Sequence, residues 1–323
     1  MTDTQSDAVA ESFVFWNPPA DMALSIDEDE QYVLPAIPLP LRAADVPQNP
    51  SDTPSERAIG EGIYAYLCAD PDAEQAPIYA DMLRHAYPFL ISDIGSELLL
   101  LDLRPNDLKA LRGKIALLKI LLYLDENNFG LQHKLGIAHF NLAVHPQSSV
   151  DISGQLQSAR QWFEKARRCC PQDVNNLNYI GQVCYLTGSY HQARLYWQQA
   201  VSQMADEEEQ GPLQQRLQLL IEGVVPVEPL QKQLEQMAQA RRSFYSGDVE
   251  QAHHIVETLV RRGELLRELP SVDLCYFIGV CREKMNDNAG AYEALTMAVS
   301  LDDNHEQAQV ALKRVAPVTQ ERE

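Results

Sequence analysis

The sequence predicts an all-α protein, a right-handed α-solenoid of helix pairs that follows an irregular, acidic, proline-rich N-terminal arm. Three observations lead to this prediction. A small residue recurs at a fixed distance before an alanine, apolar residues at helical spacing follow that alanine, and prolines concentrate near the start of the chain. The 323 residues, 45% of them hydrophobic, suffice for one large solenoid or two ordinary domains.

The small-residue pattern occurs in four copies. Three of them place the small residue twelve positions before the alanine, whereas the fourth has eleven extra residues between the two. The copies are Gly136/Ala159, Gly181/Ala193, Ala240/Ala252 and Gly279/Ala291. Because two helices approach closely only where side chains are small, each copy predicts one helix pair that stacks on the next.

The most regular copy extends beyond the small residues. It contains Leu177, Ile180, Gly181, Gly188, Tyr190, Ala193, Trp197 and Ala200. This pattern resembles the tetratricopeptide repeat (TPR), a helix pair with a period of about 34 residues. The resemblance implies a solenoid of TPR-like pairs whose concave groove, lined by the first helix of each pair, binds a segment of a protein partner.

Residues 1–54 are predicted to form the extended arm. They hold eight of the nineteen prolines, and residues 1–60 carry eleven acidic against two basic side chains, a net charge of −9. Such a composition is not expected to bury much core. Two apolar islands are candidate docking segments for another chain, although they could equally pack along the protein's own helices. Their principal residues are Phe13, Phe15, Trp16, Tyr32, Leu34, Ile37 and Leu39.

Residues 55–130 are predicted to form a helical N-terminal subdomain, which could be a degenerate repeat. Ser55 is placed to cap a helix that runs to about Ala69. A second helix is expected over 77–101, with a short strand somewhere in 70–104 as the alternative. Asn106 is expected to cap a third helix that ends near Leu124.

The rest of the chain carries the four clear copies. Residues 131–205 are predicted to form two TPR-like repeats, the first with an inserted surface loop at 145–154. Residues 206–232 form an acidic linker and a helix, and residues 233–315 form two more repeats and a capping helix. A frayed tail is expected at 316–323. The capping helix is required because the last repeat would otherwise expose its apolar face.

The residue patterns of common enzymes are missing from the sequence. It contains no Gly-rich phosphate loop, nucleophile elbow or zincin motif. The neighbouring pairs Cys169–Cys170 and His253–His254 would point apart on a helix. We therefore predict a non-enzymatic protein with no catalytic residue, no metal site and no cofactor. The six cysteines lack pair spacing and are interpreted as small core residues in a reducing compartment.

Charge and hydropathy limit the classes of partner and the cellular location that the sequence predicts. A net charge of −20 argues against nucleic acid, because phosphate binding needs a basic surface. The most apolar stretch, residues 115–124, is too short to span a bilayer and is interrupted by Lys119, so no membrane insertion is expected. The acidic start of the chain does not match a secretion signal, which favours a cytoplasmic location.

The resemblance to the TPR also implies which positions face the groove. Applied to this sequence, they are Asn175, Asn178, Gln182, Tyr185, Met237, Arg241, Phe244, Tyr245, Tyr276 and Lys284. Amides can pair with a peptide backbone, and aromatic rings and methionine provide apolar anchors. This set favours an internal segment of the partner, extended or helical, over a carboxyl terminus, which would need more cationic groups.

The predicted function is that of a protein-binding adaptor or chaperone that holds a partner segment in the groove. Two alternatives stay open. The protein could be similar to the acidic TPR chaperones of bacterial secretion systems, which keep apolar exported clients soluble. It could also be a non-catalytic regulatory subunit whose partner supplies an active site. The sequence does not define the oligomeric state.

Overall fold

A computed structural model describes residues 13–26, 31–49, 52–104, 107–147, 151–205 and 207–316. These ranges contain fifteen α-helices and four short strands. The chain divides into two compact units. The first comprises the described residues up to Ala138 together with Arg168–Pro171, and the second comprises His139–Arg167 and the described residues from Gln172 onward.

The N-terminal arm forms two antiparallel strand pairs in the first unit. Strand β1 (Phe13–Trp16) pairs with β4 (Leu39–Arg42), and β2 (Ala23–Ser25) pairs with β3 (Gln31–Val33). The four strands contain no acidic residue, so the negative charges of the arm lie outside them. The arm is therefore less irregular than its overall composition indicates.

The arm also contributes to the core of the first unit. Leu24, Leu34, Leu39 and Leu41 are buried in the same cluster as Ile59 and other residues of the following helices. The expectation that the arm buries little core was therefore wrong. Net composition averages over the arm, whereas burial depends on leucines concentrated in short extended segments that lie on helices.

Four helices follow the arm in the first unit: α1 (Glu56–Ala69), α2 (Ala76–Ala86), α3 (Pro88–Asp102) and α4 (Leu108–Leu124). Ser55 caps α1 as predicted, since its Oγ accepts a hydrogen bond from the Ala58 amide at 3.2 Å. The described residues of 70–104 contain no strand, but the single helix expected over 77–101 is wrong. Tyr87, with φ −137°, separates α2 from α3, because a residue before proline avoids the helical region.

The start of α4 differs slightly from the expectation. Asn106 lies outside the described residues, and the Asp107 carboxylate accepts a hydrogen bond from the Lys109 amide at 2.8 Å. Within the described residues, no helix combines the length and apolar content needed to cross a bilayer.

Helix α5 (Phe129–Val144) crosses the division between the units, and the remaining helices lie in the second unit apart from the end of α6. Their bounds are α6 (Ile152–Cys169), α7 (Val174–Leu186), α8 (Tyr190–Gln203), α9 (Glu207–Ile221), α10 (Leu230–Tyr245), α11 (Val249–Arg262), α12 (Glu264–Glu268), α13 (Val272–Lys284), α14 (Asn288–Leu301) and α15 (Glu306–Val315). Helices α7/α8, α10/α11 and α13/α14 form pairs joined by tight turns.

The small residues lie where the paired helices meet. A side chain at Gly181 would overlap the Trp197 indole, and a Cβ on Gly279 would lie 2.6 Å from Leu295 Cγ. Ala193, Ala252 and the other alanines of these three copies are fully buried. The all-α, TPR-like arrangement predicted from the sequence is thus confirmed, with close helix contacts at the predicted positions.

The three pairs share one turn geometry. Gly188, Gly247 and Asn286 each lie seven positions after the small residue and have positive φ angles of 80°, 95° and 63°. In each turn the next residue donates its amide to a carbonyl five positions earlier, at 2.8 to 3.0 Å. This is a common helix termination, which glycine adopts freely and asparagine tolerates. The repeat period is therefore present in the backbone as well as in the packing.

Three features of the second unit depart from a regular repeat. Helix α6 begins at Ile152, inside the range predicted as loop, and α9 continues through Pro212. The short helix α12 is inserted between α11 and α13. The capping helix is present as α15, which buries Ala311 and Val315 against Ala291 and Leu295 of α14.

Candidate functional site

An open groove of about 590 Å³ lies in the second unit among α10, α13 and α15. Each helix contributes to its lining because the first helices of successive pairs and the capping helix stack side by side. The lining residues are Gln147, Ala238, Arg241, Arg242, Tyr245, Asp273, Tyr276, Phe277 and Gln307. The groove thus combines aromatic rings, guanidinium groups and amides on one surface.

Arg241 lies half-buried in this groove. Its Cζ is 4.7 Å from the centre of the Phe277 ring, and its Nη2 donates to the carbonyl oxygen of Asp273 at 3.3 Å. Its Nε is buried and has no hydrogen-bond partner among the described residues. Burial lowers the pKa of the Arg241 guanidinium, and the nearby Asp273 carboxylate opposes this shift. Arg241 therefore keeps an unused donor.

The carboxylate of Asp273 is already engaged. Its Oδ1 accepts a hydrogen bond from Gln147 Nε2 at 2.9 Å and lies 3.7 Å from His305 Nε2. His305 caps α15, since its Nδ1 accepts the Ala308 amide at 3.1 Å. Asp273 thus connects the start of the inserted loop with the capping helix, and it contributes the only acidic side chain to the described lining.

Aromatic rings form the other part of the groove. Tyr245 is 78% exposed, whereas Phe244 beside it is half-buried. The Phe244 ring contacts Tyr245 and Phe277 edge to face, with both centroid distances at 5.6 Å. The Tyr276 ring lies 5.5 Å from His305. Phe244 consequently supports the exposed Tyr245 ring without lining the groove itself.

One of the predicted groove residues lies in the core instead of the groove. Met237 is only 4% exposed and lines a small cavity of about 30 Å³. Val144, His145 and Pro146 close this cavity from the side of the loop. Met237 is therefore a core residue that packs in one cluster with Leu265 and Leu274. The sequence predicted residues 145–154 as a surface loop, but it did not indicate that His145 and Pro146 line a cavity together with Met237.

The four predicted residues of α7 do not line the groove. Asn175 is exposed, and Asn178 and Gln182 are half-buried. The Tyr185 ring packs on Tyr190 and Trp197, and burial raises its pKa to about 12, with Glu268 adding to the shift.

Lys284 is exposed at the end of α13 and also lies outside the lining. Of the ten predicted groove residues, the structure brings together Arg241, Tyr245 and Tyr276, with Phe244 directly behind them. The central part of the prediction thus maps onto one surface, and its outer members do not.

The sequence did not indicate four of the lining residues, namely Arg242, Phe277, Gln307 and Gln147. Arg242 and Phe277 occupy helix positions that the resemblance does not assign to the ligand. Gln147 and Gln307 come from the inserted loop and the capping helix, whose docking depends on long-range packing. Only the adjacent arginines at 241 and 242 offered a signal, as a local excess of positive charge in an acidic chain.

The candidate docking residues of the arm make contacts inside the first unit. Phe13 and Phe15 lie edge to face against Tyr66, at 5.3 and 5.4 Å between ring centres, and Tyr32 stacks on His85 at 6.0 Å. Leu34 and Leu39 are buried, and Trp16 and Ile37 are partly buried. These contacts correspond to packing on the protein's own helices. Docking of another chain stays a prediction for the exposed side of β1, where Phe15 is 46% exposed.

The described residues contain no group of three or more His, Cys, Asp or Glu side chains arranged to hold a metal ion. All six cysteines are free thiols. Cys184, Cys275 and Cys281 are buried as expected, but Cys169 and Cys170 are exposed at the end of α6. The prediction that all six cysteines are core residues is therefore wrong for Cys169 and Cys170. These two residues come after Ala166, the last buried residue of the helix.

No family model matches the sequence, and no curated protein matches it. A structural comparison finds similarity to a tetratricopeptide repeat protein from Parabacteroides merdae, with 14% identity over 81% of this chain and 92% of the other, at a TM-score of 0.28. Yeast Tom70 is similar with 13% identity over 80% and 74% of the chains, at a TM-score of 0.28. The Cut9–Hcn1 hetero-tetramer of the APC/C is similar with 14% identity over 81% of this chain and 57% of the other, at a TM-score of 0.24. The TPR-like character of this chain is seen in its own helix contacts at Gly181 and Gly279 and in the shared geometry of its turns.

Proposed function

We propose that this protein is a non-catalytic scaffold, an adaptor or chaperone, that binds a segment of a partner protein in the groove formed by α10, α13 and α15. The observation that carries the proposal is the exposure of Tyr245, 78%, on the same groove as the exposed guanidinium of Arg242. Tyrosine and arginine are the residues on which protein interfaces most often depend.

The support behind these residues favours binding. Phe244 and Phe277 hold the Tyr245 and Arg241 side chains from below, so that little conformational freedom is lost when a partner binds. A volume of about 590 Å³ suits a few side chains of an extended segment. Gln307 offers both a donor and an acceptor to a peptide backbone at the edge of the groove.

A cytoplasmic location is part of this proposal. The exposed thiols of Cys169 and Cys170 are free, as are the four other cysteines. Exposed free thiols persist most readily in a reducing compartment.

Site-specific photocrosslinking in cells tests the proposal. A photoreactive phenylalanine analogue would replace Tyr245 in one variant and Tyr292 in a matched control. Tyr292 is a 39% exposed tyrosine of α14 that does not line the groove. We expect a discrete crosslinked protein with the Tyr245 variant only, and its loss from affinity capture when Tyr245→Ser is introduced. Equal crosslinking from both positions would contradict the proposal.

A further inference from the structure

We infer that the bound segment carries a side-chain carboxylate that is held by Arg241 and Arg242. This inference rests on the proposed function and specifies the chemistry of the partner. It arises from the charge and the hydrogen-bonding state of the groove, which differ from those of the protein as a whole.

The groove is locally cationic in an acidic protein. Its described lining contains two guanidinium groups and one carboxylate, whereas the whole chain has a net charge of −20. The single carboxylate, that of Asp273, already accepts from Gln147 and lies near His305. The Asp273 carboxylate offsets one of the two guanidinium charges, so the described lining keeps a net positive charge and a complementary ligand is negative.

An exposed donor points to the same chemistry. The Arg242 guanidinium is exposed and forms no ion pair among the described residues, and Arg241 lies beside it in the lining. Guanidinium groups bind carboxylates through paired, charge-assisted hydrogen bonds. A carboxylate in the groove would bind the Arg242 guanidinium in this way, whereas an amide oxygen would accept a hydrogen bond without the charge.

The surroundings restrict the segment further. Tyr245 and Tyr276 lie on the same surface and can cover an apolar residue next to the acidic one. A basic residue there would face two guanidinium groups and is disfavoured. The occupant we assign is therefore an acidic residue adjacent to an aliphatic or aromatic one, inside a partner chain.

Selection from random peptide libraries on the full-length protein tests this assignment. One library displays heptapeptides joined to carrier sequence at both ends, and a second displays them with a free carboxyl terminus. We expect the first library to yield peptides enriched in Asp or Glu beside an apolar residue. Enrichment confined to the second library would assign the carboxylate to a chain terminus and overturn the side-chain inference.

The selected peptides then allow a quantitative comparison. Replacing the acidic residue with its amide should weaken binding about tenfold, because a charged hydrogen bond is replaced by a neutral one. Arg242→Gln should remove most of this difference, whereas Arg261→Gln, an exposed arginine at the end of α11, should preserve it. Arg242 is exposed, so its substitution leaves the fold intact. The test therefore does not require a change at Arg241, which is half-buried.

The possible failures are distinguishable. Peptides that bind through Tyr245 but show no acidic preference would overturn this inference and leave the proposed function in place. Selection of basic peptides that bind through Tyr245 would also overturn this inference and leave the proposed function in place. Failure of both libraries to yield any peptide that depends on Tyr245 would count against both.

Discussion

The indole of Trp197 occupies the space in which a side chain at Gly181 would lie, and its Nε1 donates a hydrogen bond to the carbonyl oxygen of Asn178 at 3.2 Å. The ring of α8 therefore lies directly on the backbone of α7. This contact closes the most regular helix pair, and it makes the glycine a structural requirement.

Gly181→Ala should lower the free energy of unfolding by about 1–3 kcal/mol, because the new methyl group forces the buried indole to move. Urea titration followed by circular dichroism and tryptophan fluorescence measures the loss. Gly95→Ala is the matched control, since Gly95 is exposed in α3 and a Cβ there meets no atom within 4 Å. That control should leave stability unchanged or raise it by up to ~1 kcal/mol. Equal losses at both sites would refute the packing explanation.

Burial in the core beside Leu265 and Leu274 should protect Met237 from oxidation. Hydrogen peroxide is expected to oxidise Met285 and Met297, which are 37% and 41% exposed, well before Met237 at 4%. Gln147→Ala should accelerate oxidation of Met237, because it removes the hydrogen bond to Asp273 that holds the loop. Peptide mass spectrometry over a time course gives the three rates.

The matched change for this experiment is Gln199→Ala, an exposed glutamine of α8 that is remote from the loop. It should leave the rate at Met237 unchanged. If Met237 oxidised as fast as Met297 in the unmodified protein, Met237 would not be buried in solution.

The capping helix should show a pH-dependent contribution to stability. Arg314 of α15 forms an ion pair with Glu283 of α13, and its hydrogen bond lowers the pKa of the Glu283 carboxyl. A lowered pKa in the folded state contributes stability that is present above the unfolded pKa of about 4.3 and is lost as the pH falls through the lowered value. Arg314→Gln should therefore destabilise the protein at pH 7.

The effect of Arg314→Gln should be at most about 1 kcal/mol, because Arg314 is half-exposed. It should vanish in thermal unfolding experiments as the pH falls below the lowered pKa of Glu283. Lys313→Gln, a neighbouring exposed cation without an ion pair among the described residues, serves as control and should have little effect at any pH. A difference between the Arg314 variant and wild type that persisted unchanged in acid would exclude this pairing as the cause.

The cysteines should react in two classes. Iodoacetamide at pH 8 is expected to modify the exposed Cys169 and Cys170 first. Cys275 and Cys281 should stay protected, because burial raises their pKa values to about 11 and 12 and blocks access. Mass spectrometry of the labelled protein gives the order, and 8 M urea should abolish it. The double variant Cys169→Ser/Cys170→Ser should lose the fast phase; a fast phase that persisted would place another thiol at the surface.

The features that the sequence predicted well depend on short-range chemistry. Ser55 begins α1 because a hydroxyl beside free amides caps a helix wherever the two occur together. Gly181 and Gly279 mark close helix contacts because only a missing side chain permits them. The break at Tyr87 also has a short-range cause, the proline that follows it in the sequence. It was not predicted, because the apolar periodicity across it suggested one helix.

What the sequence by itself determined, then, is the all-α repeat and the register of its helix pairs. Tertiary structure alone decided that the leucines of the arm enter a core, that Met237 is buried, and that Gln307 lines the groove with Arg241, Tyr245 and Tyr276. The physical reason is the range of the interactions involved. Caps, turns and helix periodicity are set by residues a few positions apart, whereas the docking of a loop or terminal helix depends on surfaces that exist only after the repeats have stacked.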